Sequence, residues 1–290
     1  MEIILRYLCI LAVALTVFSC NKITETETTA LLPDTALTAI TAAQSVIVTD
    51  INASTQTGSN KTIGEGYLLP VFESLKRYFE MLLDIRRGYF LNENLDDGMI
   101  TKNFTYDLIR YDDDGNALTT ITVSGTVTAE KVGEIYYYSI TLTSASPAYY
   151  FKKDIVFDYA NQKCKITVVD GVSLAAATSR AKIQLVLETI DSATYLFVLD
   201  VHKNFTDDDI RRNVMRVSMN GTNPVNLFAL HKTGLTSFEF LDDIYDSPPS
   251  DNTWPSDASW SWNVKIDWTF GTGGTIYYGG PGGSSIVFTP

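Results

Sequence analysis

Four tryptophans crowd into one stretch near the end of the chain, Trp254, Trp260, Trp262 and Trp268, beside the proline-rich Ser247-Pro248-Pro249. Exposed indole faces stack on sugar rings and enclosed ones line apolar cavities, so these four are the candidate ligand-binding residues. Trp260, Trp262 and Trp268 alternate with polar residues and are expected to share one face of a strand, an arrangement that equally suits the core of a curved sheet. Trp254 stands in the polar loop before that strand and is the better ligand contact.

Groups suited to catalysis are scarce. His202 and His231 are the only imidazoles, and neither stands at a metal-ligand spacing or beside a nucleophile. Asp112-Asp113-Asp114-Gly115-Asn116 begins like a calcium loop, but Ala117 takes the sixth position, where glycine is needed, and Val123 the twelfth, where a bidentate glutamate is needed. The run reads as a hairpin turn, with Gly115 supplying positive φ. Thr206-Asp207-Asp208-Asp209 reads as the cap and acidic first turn of a short helix through Arg211-Arg212. The pair Asp242-Asp243 offers acid–base chemistry in principle, but nothing separates it from surface charge. Gly171-Val172-Ser173-Leu174-Ala175 lacks the last glycine of a nucleophile elbow, and Gly271 to Gly274 leads into a strand, not a phosphate-binding helix. No catalytic residue, metal site or cofactor is assigned, and the chain is read as a non-enzyme.

The N-terminus carries a different kind of chemistry. Tyr7 to Val17 is an apolar block preceded by Arg6 and closed by Ser19-Cys20, the order of a secretory signal. As a helix the block rises only about 16 Å, too short to span a bilayer. Val17-Phe18-Ser19-Cys20 resembles the lipobox of bacterial lipoproteins. The resemblance implies removal of residues 1–19, acylation of Cys20 as the lipid attachment site, and, because Asn21 and not Asp follows, an outer-membrane destination in the cell envelope. Two or three acyl chains hold a protein to a membrane essentially permanently. Residues 20–33, polar and rich in Thr and Glu, read as a flexible tether. Cys9 leaves with the signal and Cys20 is taken by lipid, so Cys164 remains alone; its alternation with Ile166 and Val168 makes it a buried core residue rather than a reactive thiol.

The net charge of −12 argues against nucleic acid and keeps the domain off anionic headgroups except through its anchor. Beyond the tether, Leu37, Ile40, Ile47 and Ile51 fall near helical spacing after Asp34, although Ser45-Val46-Ile47-Val48-Thr49 also fits a strand. Phe72, Leu75, Phe79 and Leu82 mark a second, amphipathic helix from Pro70 to Gly88, and Gln56 to Asn60 connects the two. From Phe104 onward the period is two. Apolar residues alternate around residues 104–108, 121–127, 136–142, 155–159, 183–187, 195–201, 260–270, 276–278 and 286–288, with links too short for parallel crossovers.

The expected fold is α+β, mainly antiparallel β: a helical segment over 34–96 packed on a large curved sheet over 97–290, a half-barrel or barrel, with 34–290 one structural unit. As architecture alone this resembles the half-barrel of the envelope's lipoprotein carriers, and no motif residue matches that family. The leading functional reading is a lipid-anchored binding protein with a groove for an apolar or glycan ligand. A structural or adhesive surface lipoprotein and a cell-envelope hydrolase are the alternatives.

Overall fold

The computed structural model describes residues 32–66, 69, 72, 76, 95, 98–111, 117–145, 148–158, 160–171, 177–204, 209–238, 243–256 and 260–290. Helix α1 spans Leu32–Ala53. Ala36, Ala39, Ile40, Ala43, Ile47 and Ile51 recur at three or four residues and all are buried. The β-branched stretch at Ser45–Thr49 stays helical because only Ile47 faces inward; Val48 and Thr49 are exposed, and the Thr49 hydroxyl donates back to the Ser45 carbonyl at 2.9 Å. A second helical segment begins at residue 59, so Ser59 and Asn60 belong to it and not to the connection. Leu69, Phe72 and Lys76 are helical and Phe72 is buried; Leu75, Phe79, Leu82 and Gly88 lie outside the described residues.

Twelve strands follow among the described residues. They are β1 (Ile100–Tyr111), β2 (Ala117–Val132), β3 (Ile135–Ala145), β4 (Ala148–Asp158), β5 (Lys163–Gly171), β6 (Ala177–Ile190), β7 (Ala193–Asn204), β8 (Ile210–Asn220), β9 (Asn223–Leu235), β10 (Val264–Thr269), β11 (Gly273–Tyr278) and β12 (Ser284–Phe288). Their spatial order is their sequence order, every pairing is antiparallel, and β1 and β12 form the two edges of an open sheet. Of the two closures expected, the barrel is therefore excluded, and the fold is α+β with N-terminal helices on a curved antiparallel sheet.

The two faces of the sheet differ. The helix-side face carries Val127 and Ala129, Tyr136, Tyr138 and Ile140, Ile155 and Phe157, then Cys164, Ile166 and Val168, all in one cluster with α1. Burial on one face only gives β2 to β5 their clean alternation. In β6 to β8 both faces are covered, so neighbours such as Leu185 and Val186, Leu196 to Leu199, and Val214 and Met215 are all buried. A second cluster, containing Phe197, Leu199, Val214, Leu230, Ile244, Trp260 and Trp262, occupies the opposite face.

Two expectations fail here. Arg211 and Arg212 lie in β8 and not in a short helix, since Ile210, Val214 and Val217 are better satisfied between two apolar layers. The strand expected from Trp260 to Phe270 starts only at Val264. Asn263 makes the bend: its side-chain carbonyl accepts the Thr233 N–H at 2.8 Å, while its own N–H donates to the His231 carbonyl at 2.7 Å. Trp268 consequently belongs to the helix-side cluster, and Trp260 and Trp262 to the opposite one.

Glycine permits the closest approaches. A Cβ on Gly64 would lie 2.6 Å from the Phe288 ring, so glycine lets the second helical segment seat on β12. A Cβ on Gly274 would strike Trp268 and the Asp267 carbonyl across the β10–β11 hairpin.

Candidate functional site

β9 and β10 are hydrogen-bonded neighbours, yet residues 236–263 separate them. The described residues of this strap, 236–238, 243–256 and 260–263, lie on the face opposite α1 and are pinned at several points. The Gln184 side chain, fully buried, accepts the backbone N–H groups of Ile244 at 2.8 Å and Tyr245 at 3.3 Å. Lys163 donates to the Tyr245 carbonyl at 2.7 Å, Lys165 lies 3.4 Å from Asp243, and both ammonium groups sit over the Tyr245 ring. Burial, with the nearby Asp158 carboxylate, pushes the Tyr245 phenol up to about 12, so it remains neutral and is no base at ordinary pH. Further along, the buried Arg212 guanidinium stacks 4.1 Å over Trp260 and donates to the Ser261 carbonyl at 3.1 Å.

Where the strap leaves the sheet it opens a cleft of about 580 Å³. Sheet register builds its floor. Phe197, Arg216, Phe228 and Asp267 are consecutive cross-strand partners on this face, and Tyr195, Ser218, Asn226 and Thr269 form the next row. Tyr195, Arg216, Phe228, Lys265 and Asp267 line the cleft from the sheet; Asn252 and Pro255 line it from the strap. Tyr195 stacks on Phe197 with the rings 5.9 Å apart, and Arg216 lies 5.4 Å over the Phe228 ring. The strap wall is held by Asp251, whose carboxylate accepts the Thr253 hydroxyl at 2.8 Å and the N–H groups of Thr253 at 2.8 Å and Trp254 at 3.0 Å; these bonds, the hydroxyl's first, hold its carboxyl below the usual range. The volume falls in the range of small-molecule sites, and aromatic rings among amides, hydroxyls and charges suit a polar, ring-shaped ligand.

Of the four candidate tryptophans, none lines this cleft among the described residues. Trp254 comes nearest, since its neighbours Thr253 and Pro255 do, but its own ring turns inward. It packs edge-on against Phe197 at 5.5 Å and Trp260 at 6.0 Å, and its carbonyl accepts from Arg216 at 3.3 Å. Trp260 and Trp262 fill the core beneath the strap. Trp268 is buried against α1, with its indole N–H donating to the Asp50 carboxylate at 2.9 Å. Cys20 lies outside the described residues. Arg216, Lys265 and Asp267 escape sequence reasoning because charged residues in strands read as solvated positions. The one available signal is Arg216 standing among Val214, Met215 and Val217 in β8.

A second polar group sits on the other face. Asp200, only 2 % exposed, has His202 Nε2 at 2.8 and 2.9 Å from its two oxygens and also accepts from Asn213 at 3.4 Å. Asn213 Oδ1 lies 2.7 Å from His231 Nδ1, so that nitrogen carries the proton. β7, β8 and β9 thus bring both histidines into one network that their separation in the chain conceals. Burial lowers the His202 pKa, but the Asp200 charge and hydrogen bond outweigh it and raise the imidazole above 6.5. Burial and Arg211 lower His231 below 6.5. Among the described residues no group of three His, Cys, Asp or Glu side chains is arranged to hold a metal ion.

No family model matches the chain, and no curated protein or solved structure matches it either.

Proposed function

We propose that this chain is a lipid-anchored cell-envelope protein that binds saccharides in the cleft beneath the strap. The cleft itself carries the reading: Tyr195 and Phe228 offer ring faces for stacking, and Arg216, Asn226, Ser218 and Asp267 surround them with donors and acceptors. A lipid ligand is less well served, because these polar side chains would each lose water without gaining a partner. On the helix-side face, Ile40, Ile47 and Phe157 are fully packed, which favours the strap side as the place for a ligand.

Titration calorimetry against a panel of envelope and host oligosaccharides tests the reading. At least one should bind, and Tyr195→Ala should weaken it about tenfold, in keeping with the loss of a stacked ring and its buried area. Binding unaffected by Tyr195→Ala, or no binding across the panel, contradicts the proposal. The anchor rests on Val17-Phe18-Ser19-Cys20. Metabolic labelling with a palmitate analogue should mark the wild type and not Cys20→Ala, and equal label on both would remove the anchor from the account.

A further inference from the structure

The geometry points to an acidic saccharide as the ligand of this cleft, with its oxyanion paired to Arg216 and Lys265; the inference rests on the saccharide reading above. Arg216 is the informative residue. It is half-buried beneath the strap, and burial depresses its pKa, the mark of a cation that has lost water. Among the described residues its only hydrogen bond is the one donated to the Trp254 carbonyl, at 3.3 Å, and its only ring contact is with Phe228.

A guanidinium has five N–H donors, so most of the fork meets no acceptor among the described residues. Asp267 and Asp251 act on it through space, but neither makes a salt bridge with it. Contrast Arg212, equally placed on β8 but buried and capped by Trp260 and the Ser261 carbonyl. The Trp254 carbonyl and the Phe228 ring, 5.4 Å away, hold the Arg216 guanidinium at the cleft, where its planar fork suits bidentate pairing with a carboxylate, sulfate or phosphate.

Lys265 supplies the second cation of the same cleft, lying 4.4 Å over the Tyr277 ring. Two cations and one carboxylate, Asp267, thus line the cleft, on a chain whose net charge is −12. A free small anion would use the cations alone. Tyr195, Asn226 and Ser218 extend the same surface along the next cross-strand row and suit the ring and hydroxyls that carry the anion.

The test uses oligogalacturonate, its methyl ester with the same ring skeleton, a sulfated galactan oligosaccharide with its desulfated form, and inorganic phosphate. An acidic oligosaccharide should bind at least about tenfold more tightly than its neutral counterpart, and raised salt should weaken it. Loss on esterification assigns the oxyanion to a carboxylate, and loss on desulfation to a sulfate. Arg216→Gln and Lys265→Gln should each abolish that preference while leaving weak binding of the neutral form; Lys265→Gln keeps the test sound if Arg216→Gln loosens the strap. Equal binding of charged and neutral forms, or full binding by both variants, overturns the acidic preference and leaves the saccharide reading standing. Phosphate competing as strongly as the oligosaccharide would assign an anion site without a sugar. Failure of every oligosaccharide overturns both readings.

Discussion

Trp268 joins two layers through one indole. Its ring is 1 % exposed and packs 5.5 Å from Phe288, while its N–H and that of Gly271 satisfy the Asp50 carboxylate of α1, itself 3 % exposed. Trp268→Ala should cost about 3–5 kcal/mol in urea denaturation. Trp268→Phe keeps much of the volume but removes one of the two donors to a buried carboxylate, and should cost about 1–3 kcal/mol. The two histidines make opposed predictions. His202 is raised above its ordinary 6.5, so its contribution is fully present below that value and is lost as pH rises through the folded pKa. His231 is lowered, so the folded state resists its protonation and stability is lost as pH falls through 6.5. His202→Gln should therefore cost more stability at about pH 5.5 than at about pH 8.5, and His231→Gln less. Denaturation of both variants at both values checks this, and slopes of the same sign would show that the network is not organised as described.

The strap is the element on which the site depends, and Gln184 is its innermost fastening. Gln184→Ala removes the acceptor of the buried Ile244 N–H, whereas the Tyr245 N–H keeps the Asp243 carboxylate at 2.9 Å. Amide exchange at Ile244 should accelerate while β2 to β5 stay protected; unchanged exchange there would mean that Lys163 and Lys165 hold the strap unaided. Elements were legible in the sequence where one set of apolar residues keeps its period, as it does even in β6 and β7, which are covered on both faces. The spacing of Ile40, Ile47 and Ile51 marks α1, and the alternation of Tyr136, Tyr138 and Ile140 marks β3. β8 and β9 were not legible, because burial on both sides of β8 erases its period of two and β9 mixes apolar with polar residues on both faces. The strap was missed for a related reason. Trp260 and Trp262 continue the alternation of β10 in the sequence, and only the bend at Asn263 separates them.

At the scale of the whole molecule, an open meander of twelve strands is stabilised from both sides, by α1 on one face and by the strap on the other. The candidate site arises from register. Arg216, Phe228 and Asp267 are far apart in the chain and become adjacent only because β8, β9 and β10 pair as they do. A single sequence carries no record of that pairing, and of the tryptophans it makes conspicuous Trp254, Trp260 and Trp262 pack under the strap while Trp268 packs against α1. The central claim is that the strap side of β7 to β10 is the binding face. Hydrogen exchange measured with and without a saturating acidic oligosaccharide tests it most directly. Slowed exchange is expected at residues 226–228, 252–256 and 265–267 and none in β1 to β5; protection confined to β1 to β5 or to α1, or no change anywhere, would rule out the strap side as the binding face.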